Sequence, residues 1–145
     1  MLVNVKNQVE SPDISRILEY AVYSDEDLLA EAIKRYQEDR EAQLYALKHE
    51  EELIGLIGYK MEDQNALVIN HLAISPEHRN QGYGRGIILE VLYQEKPDRI
   101  IAETDEEGVD FYRNIGFVIE TSSKLPNGVE RFRCVYEAEL HEQEE

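Results

Sequence analysis

The sequence has no tryptophan and only one cysteine among its 145 residues. A lone cysteine excludes an internal disulfide and any zinc site built from several cysteines. Because Cys134 lies in an alternating strand pattern, we expect it to pack in the core rather than to act as a nucleophile. No apolar run reaches the roughly 18 residues that cross a bilayer, and residues 1–6 resemble a short strand rather than a signal peptide. The protein is therefore expected to work in the cytoplasm.

Positive charge is also scarce, since 15 Lys and Arg stand against 31 Asp and Glu, for a formal net charge of −16. This charge argues against general binding of nucleic acid or an anionic membrane, because both would be repelled. It favours a cationic partner only weakly, since acidity also keeps proteins soluble. Residues 141–145 are interpreted as a solvated acidic tail. No repeat or linker interrupts residues 1–140, which are predicted to form one domain.

Hydrophobic periodicity and turn residues predict an α/β fold with a mixed sheet, in the order β-α-α-β-β-β-α-β-α-β-β. Ser11 is predicted to cap the first helix, with Pro12 at its first position, and Ser24 to cap the second. The apolar face of the second helix is formed by Leu28, Leu29, Ala32, Ile33 and Tyr36. A third helix follows the glycines after residue 80, and a fourth, at about 106–115, is expected to end at Gly116.

The predicted strands cover about 2–6, 43–48, 53–60, 66–74, 99–103 and 117–121, with a long last strand through Phe132, Cys134 and Tyr136. Strands two to four form an antiparallel meander, and a turn at 126–128 joins the last two strands. The third helix lies between the strands at 66–74 and 99–103. A crossover of that length implies that these two strands are parallel.

The segment from Leu72 to Gly86 is the most informative part of the chain. An apolar strand ends in the turn Ser75-Pro76, and three alternate glycines follow, Gly82, Gly84 and Gly86. Glycine lets backbone N–H groups approach a ligand closely, and a helix N-terminus favours an anion. The segment is therefore predicted to be a strand, an anion-binding turn and a helix start.

Two well-known phosphate motifs do not fit, because the glycine spacing is neither that of a dinucleotide-binding GxGxxG nor that of a Walker loop with its lysine. Cationic groups nevertheless gather here in a chain poor in them, with Arg79 and Arg85 on either side of the turn and His78 beside it. This coincidence favours a bound anion over a bare tight turn.

The run from Arg79 to Gly84, Arg-Asn-Gln-Gly-Tyr-Gly, resembles the (Arg/Gln)-x-x-Gly-x-(Gly/Ala) signature of the GNAT superfamily of N-acyltransferases. The preceding Leu72-Ala73-Ile74-x-Pro and the later segment 111–117, Phe-Tyr-Arg-Asn-Ile-Gly-Phe, are similar to further hallmarks of that family. The resemblance covers essentially the whole chain, because the order of elements is also similar.

This resemblance implies that acetyl-CoA or another acyl-CoA is the donor and that no metal is needed. Its pyrophosphate would be held by the backbone amides from about Gln81 to Gly86, with help from Arg79 and Arg85. The pantetheine arm would pair with the strand backbone where that strand splays from its parallel neighbour, and one strand N–H would polarise the thioester carbonyl. The implied cofactor contacts in these two segments are Leu72, Ala73, Ile74, Arg79, Asn80, Gln81, Gly82, Tyr83, Gly84, Arg85 and Gly86.

Acyl transfer to an amine needs a neutral nucleophile and a proton for the leaving thiolate. Tyr112 matches the family tyrosine that points at the CoA sulfur, and it is the predicted acid. Helical spacing alone would favour a core aromatic at this position. Phe111 and Arg113 are expected to pack and to contact CoA phosphate rather than to take part in the chemistry.

The general base is left open by the sequence. Several relatives place a glutamate on the central strand, whereas this strand reads Val68-Ile69-Asn70-His71. His71 is one candidate because of its near-neutral ordinary pKa, although a strand histidine is more often structural. Glu103, at the end of the fifth strand, is the second candidate, and a water chain is the third. Asp105 replaces a family asparagine at the next helix start; it can cap that helix but donates no hydrogen bond, which weakens one expected cofactor contact.

The leading interpretation is an N-acetyltransferase that moves an acetyl group from acetyl-CoA to a primary amine of a small molecule or peptide in a ternary complex. The alternative is a non-catalytic CoA-binding or regulatory module, suggested by the missing strand glutamate. A third reading is a phosphate-binding structural protein without CoA preference. The sequence does not name the acceptor, and it leaves both a monomer and a homodimer open.

Overall fold

The structure is a computed structural model that describes residues 2–22, 24–126 and 128–138. Its elements are β1 (Leu2–Asn4), α1 (Pro12–Ala21), α2 (Glu26–Glu38), β2 (Ala42–His49), β3 (Glu52–Glu62), β4 (Ala66–Ile74), α3 (Tyr83–Glu95), β5 (Arg99–Thr104), α4 (Glu106–Asn114), β6 (Val118–Lys124) and β7 (Glu130–Glu137). Short 3₁₀ turns lie at Lys6–Gln8, Asp63–Asn65 and Pro76–His78. This order confirms the predicted one. The predicted tail at 141–145, and Asn127 in the predicted turn, lie outside the described residues.

The seven strands have the order β1-β2-β3-β4-β5-β7-β6, and the sheet is mixed, as predicted. β2 pairs antiparallel with β1 and β3, and β7 pairs antiparallel with β5 and β6. β4 and β5 are parallel, with Ala66 opposite Arg99 and Ile69 opposite Ala102. The parallel relation inferred from the helical crossover is therefore confirmed.

The chain divides into two compact units, each built from two segments. Unit one comprises the described residues of 1–60 and 70–96, and unit two those of 61–69 and 97–145. The division falls inside β4, so the start of this strand belongs to unit two and its end to unit one. The single domain expected over 1–140 stays a prediction.

Unit one has its main core where α1 and α2 pack on β2 and β3. Its large buried side chains include Ile14, Leu18, Tyr36, Leu44 and Leu56, each at most 2 % exposed. Burying an aliphatic or aromatic side chain of this size contributes about 1.5–3 kcal/mol to folding. This cluster is what holds the two helices against the strands.

Unit two packs α4 against β5 and β7. Val109 and Tyr112 form the buried face of α4, and Phe117 packs against Tyr136 with ring centroids 5.6 Å apart. Cys134 is fully buried in β7, which confirms its predicted packing position. Gly116 ends α4 with φ of 103°, a conformation that glycine adopts without steric cost.

Several local predictions for the first two helices need correction. Ser24 does not cap α2, because its φ of 58° is left-handed; the cap is Asp25, whose carboxylate accepts hydrogen bonds from the N–H groups of Asp27 and Leu28. Ser11 does occupy the N-cap position of α1, but its side chain makes no capping hydrogen bond. Leu28, placed on the apolar face, is 42 % exposed, since it lies in the first turn of α2.

Two strand limits also differ from the prediction. β1 ends at Asn4, because the chain enters the 3₁₀ turn Lys6–Gln8, and β6 continues to Lys124, where it faces Glu130 of β7. Among the described residues, none of the helices is both long and apolar enough to span a membrane.

Candidate active site

The turn between β4 and α3 is held by local hydrogen bonds. Ser75, 5 % exposed, donates its backbone N–H to the Ile54 carbonyl at 2.8 Å, and its hydroxyl lies 3.1 Å from Nδ1 of His78. Asn80 and Gly82 have φ of 63° and 85°. These two left-handed residues redirect the chain from the strand end into the helix.

We call residues 81–86 the cradle, since they carry the predicted anion site. Gly82 is the N-cap of α3 and has no side chain to satisfy the free N–H groups of the first turn. The Gly86 N–H, in contrast, donates to the Gly82 carbonyl at 3.0 Å. The Gly86 amide therefore makes the first hydrogen bond of the helix, and its contact with a ligand stays a prediction.

The outer side of the cradle is open. In the described part of the chain, a Cβ built on Gly82 or on Gly86 meets no atom within 4 Å. A cavity of about 440 Å³ borders the same residues; its lining consists of Leu47, Lys48, His49, Ile54, Gln81, Gly82, Tyr83, Gly86 and Glu90. Open space next to unsatisfied helix-start N–H groups fits a phosphate-bearing ligand.

The two arginines of the motif, Arg79 and Arg85, are not among the residues that line this cavity. Arg79 donates from Nε to the Ile74 carbonyl at 3.1 Å, and its guanidinium lies 5.6 Å from the centroid of the Tyr20 ring. These contacts tie Arg79 to the end of β4, while Arg85 is exposed in the first turn of α3. Gln81 donates from Nε2 to the Glu77 carbonyl at 3.3 Å.

The end of β4 carries the three residues predicted to contact the pantetheine arm. Ala73 is buried, and Leu72 and Ile74 are half-buried. Gly55 of β3 lies so close that a Cβ there would come within 2.6 Å of the Ala73 carbonyl oxygen. In unit two, the described parallel ladder of β4 ends at Ile69, before this segment. The predicted pairing of this backbone with a ligand stays a prediction.

His71, on the same strand end, is held by a residue of α2. The Tyr36 hydroxyl lies 2.5 Å from Nδ1 of His71, and the two rings meet edge to face with centroids 5.5 Å apart. Burial, with a smaller contribution from the Arg35 guanidinium, lowers the pKa of His71 to about 4. Burial also raises the pKa of the Tyr36 hydroxyl well above its ordinary value. Both side chains are therefore neutral at pH 7.

Unit two contains the second candidate base, Glu103. It is exposed on β5, directly opposite Arg133 of β7, and its backbone carbonyl accepts a hydrogen bond from Nη2 of Arg131 at 3.2 Å. Arg133 itself contacts Glu120, with 3.3 Å between Nε and Oε1. Glu103 thus lies among the charged residues of the β5, β6 and β7 surface.

Tyr112, the predicted acid, is 7 % exposed in α4. Its ring meets Phe111 and Phe117 edge to face, with centroids 5.0 and 5.1 Å away. Burial is the main cause that raises its pKa well above the ordinary value of a tyrosine, and Cys134 adds to the effect. Tyr112 therefore keeps its proton throughout the neutral range and can act as a hydrogen-bond donor.

The remaining predicted residues of α4 have structural contacts. The Asp105 carboxylate accepts the Gly108 N–H at 3.0 Å, which confirms that aspartate caps this helix. Arg113 pairs with Asp110 at 2.8 Å on the exposed side of the helix. For Arg113 to contact a CoA phosphate, its guanidinium would have to leave Asp110 or bind both groups at once.

The expected absence of a metal is not tested by the structure. Glu52, Glu77 and His78 place one ligand atom each within 4.8 Å of one another in unit one. His78 Nε2 lies 3.3 Å from Oε1 of Glu52. This contact brings the start of β3 next to the turn after β4.

Sequence reasoning missed Tyr36 and Gly58 as neighbours of the site. Tyr36 was placed correctly on the apolar face of α2, but its hydroxyl contact is 35 residues away in sequence. Gly58 is a strand glycine whose Cβ would overlap the Tyr36 hydroxyl. A glycine inside a strand often marks a close approach of this kind, and this was the available signal.

Comparisons with known proteins agree on one family. The family model "Acetyltransferase (GNAT) domain" matches residues 8–137. An uncharacterized N-acetyltransferase of Bacillus methanolicus is 30 % identical over 98 residues, which cover 66 % of this chain and 82 % of that protein.

Solved structures are similar in fold. An IAA acetyltransferase from Bacillus cereus has a TM-score of 0.74 at 16 % identity, covering 94 % of this chain and 98 % of its own. A GNAT family acetyltransferase from Elizabethkingia anophelis, with acetyl-CoA bound, has a TM-score of 0.72 at 17 % identity, covering 94 % and 97 %. At these identities the likeness establishes the fold and not the acceptor.

Proposed function

Because the chain belongs to the GNAT acetyltransferase family, we propose that it is an N-acetyltransferase that uses acetyl-CoA as donor and a primary amine of a small molecule or peptide as acceptor. The observation that carries this proposal is the open cradle. Its first-turn N–H groups lack a side-chain cap, and a Cβ at Gly82 or Gly86 would meet no atom of the described residues within 4 Å.

The donor would be held by residues of unit one, at the end of β4 and in the turn that follows it. The N–H groups from Gln81 to Arg85 would bind the pyrophosphate, with Arg79 and Arg85 adding positive charge. Gly86 would contribute the absence of a side chain rather than an amide. The backbone of 72–74 would align the pantetheine arm, and one of its N–H groups would polarise the thioester carbonyl.

Acetyl-CoA, when bound, supplies an activated acyl group. The amine nitrogen forms the new C–N bond, the C–S bond breaks, and the thiolate leaves. Tyr112 would donate a hydrogen bond to this thiolate, and its raised pKa favours stabilisation by that bond over complete proton transfer. The candidates to receive the proton of the amine are His71, Glu103 and water. No covalent enzyme intermediate is required.

The cytoplasmic location, the lack of nucleic-acid and membrane partners, and a monomeric or homodimeric state are kept as parts of this proposal. The net charge of −16 supports the exclusion of polyanionic partners. A second candidate function is a CoA-binding module without catalysis. It is favoured by one observation, namely that β4 carries no carboxylate between Ala66 and Ile74.

The test is calorimetric titration of the purified protein with acetyl-CoA, CoA and ATP. We expect acetyl-CoA and CoA to bind and ATP to bind far more weakly. Equal affinity for ATP would favour a general phosphate site, and no binding of acetyl-CoA would contradict both candidate functions. If acetyl-CoA binds, an amine screen that measures released CoA thiol separates the enzyme from the non-catalytic module.

A further inference from the structure

The contact between Tyr36 and His71 determines which ring nitrogen of His71 carries the proton, as well as the position of the imidazole. Two neutral arrangements of this hydrogen bond exist: the phenol donates to Nδ1, which leaves the ring proton on Nε2, or Nδ1–H donates to the phenol oxygen. They have opposite consequences. In the first, Nε2 is a hydrogen-bond donor; in the second, Nε2 is free to accept a proton.

The surroundings of the phenol select the first arrangement. Tyr36 is 1 % exposed, so its O–H needs a protein acceptor. Within the described part of the chain, the hydrogen-bond partner of this hydroxyl is Nδ1 of His71, at 2.5 Å. If Nδ1 carried the proton instead, the phenol O–H would be buried without an acceptor, which costs roughly 1–3 kcal/mol.

Gly58 makes the arrangement sterically feasible. A Cβ at this position of β3 would overlap both the hydroxyl oxygen and the adjacent ring carbon of Tyr36. The missing side chain therefore opens the space in which the hydroxyl reaches His71. Helix α2 and strands β3 and β4 each contribute one residue to this arrangement, and all three lie in unit one.

We propose that Tyr36 is a positioning residue that holds His71 as the neutral tautomer with its proton on Nε2. In this tautomer Nε2 already carries the proton, so His71 does not act as the general base. This inference rests on the proposed function. It leaves Glu103 or water to receive the amine proton.

The tautomer is measured directly by proton–nitrogen correlation NMR of the full chain, with the His71 signals identified by their loss in His71→Gln. At pH 7 we expect Nδ1 to show the shift of an unprotonated ring nitrogen and Nε2 that of a protonated one. Among the described residues, the hydrogen-bond partner of this ring, Tyr36, and the charged group that acts on it, Arg35, both come from α2. A protonated Nδ1 with a bare Nε2 would overturn the proposal.

Two buried tyrosines of unit one provide a matched pair of variants. Tyr36→Phe removes the donor, and we expect the His71 nitrogen shifts to move towards a mixture of tautomers. Tyr59→Phe removes a hydroxyl that contacts Glu95 instead, and it should leave these shifts unchanged. Unchanged shifts in a folded Tyr36→Phe variant would contradict the assigned role of Tyr36. If that variant does not fold, the wild-type spectrum still decides the tautomer.

The exclusion of His71 as the general base is tested by His71→Gln, once an acceptor is known. Glutamine donates a hydrogen bond but is not a base. Loss of a general base typically costs about 10²–10⁴-fold, so we expect His71→Gln to keep kcat/KM within roughly threefold of the wild type. A loss of about 10²-fold or more in a folded variant that still binds acetyl-CoA would overturn this exclusion. Failure of the proposed function would appear separately, as absent acetyl-CoA binding by the wild type, and would leave the NMR result intact.

Discussion

At the scale of single residues, the space beside Gly58 is the most constrained point near the candidate site. Gly58→Ala would push a methyl group into the Tyr36 hydroxyl. Overpacking of this kind costs typically about 1–3 kcal/mol, so we expect the free energy of unfolding to fall by this amount. Chemical denaturation of the variant and the wild type measures the change.

Adding Tyr36→Phe to Gly58→Ala should recover part of this loss, since the hydroxyl is the atom closest to the new methyl group. Recovery stays partial because the ring carbon next to it is also too close. If the two substitutions are simply additive, the two side chains are not in contact as the structure has them.

Tyr112 is the residue whose substitution separates catalysis from binding. Tyr112→Phe keeps the buried ring and its contacts with Phe111 and Phe117 but removes the proposed donor to the thiolate. A preorganised hydrogen-bond donor to developing negative charge contributes typically about 10²–10³-fold, and we expect a loss of kcat in that range with unchanged acetyl-CoA affinity. Steady-state kinetics and calorimetry on the same variant provide the two values.

Unchanged kcat in Tyr112→Phe would show that the hydroxyl is not needed, and loss of acetyl-CoA binding would indicate a structural role instead. The sequence predicted the burial of this side chain from helical spacing and its chemistry from the resemblance. It could not predict the state of His71, because the residue that sets it, Tyr36, belongs to a helix 35 residues earlier in the chain.

At the scale of elements, Gly86 in the first turn of α3 affects both the stability of the helix and the space available to a ligand. Glycine inside a helix costs about 0.5–1 kcal/mol relative to alanine, and a Cβ on Gly86 would meet no protein atom. Gly86→Ala is therefore expected to raise the free energy of unfolding by about this amount. If the open side of the cradle receives acetyl-CoA, the same substitution should weaken its binding.

Thermal unfolding without ligand and calorimetry with acetyl-CoA test the two halves of this prediction. If the variant is more stable and still binds acetyl-CoA as well as the wild type does, acetyl-CoA does not occupy the space next to Gly86. A less stable variant would show that the helix start differs from the structure described above.

The order and type of the elements were predictable because they follow from local periodicity, and the parallel pairing of β4 with β5 followed from the length of the connection. The cap of α2 was not, because Ser24 and Asp25 are both suitable residue types. Backbone conformation decided between them: Ser24 is left-handed and Asp25 extended. The spacing of the cradle glycines likewise did not show that the Gly86 amide is used inside the helix.

At the scale of the whole molecule, the buried imidazole links folding to pH. The pKa of His71 is about 4 in the folded chain, compared with an ordinary value near 6.5. As the pH falls below about 6.5, the unfolded chain binds a proton that the folded chain does not. The free energy of unfolding therefore decreases, by a contribution on the order of 3 kcal/mol that is complete below about pH 4.

His71→Gln has no titrating group at this position, so its unfolding free energy should fall less between pH 7 and 4 than that of the wild type. The comparison of the two pH profiles removes the effect of the 31 acidic residues, which both proteins share. Parallel profiles would mean that His71 has the same pKa in the folded and the unfolded chain.

The fold of the whole chain was recognised from two motifs, residues 79–84 in unit one and residues 111–117 in unit two. Their residue types identified the family, which the match over residues 8–137 then established. The surroundings of Glu103 depend on which residue of β7 lies opposite it, and no local pattern of the sequence gives that register. The strand pairing shows these surroundings, and the choice of base stays a prediction.

The burial of Cys134 has a practical consequence for assays. The chain has one cysteine, and its thiol is enclosed in β7 with a pKa raised by burial. A disulfide reagent added to the native protein would thus report the thiol of released CoA with little signal from the protein itself. The same reagent would consume one further equivalent when the chain unfolds, so that turnover and opening of the fold can be followed with a single colour reaction.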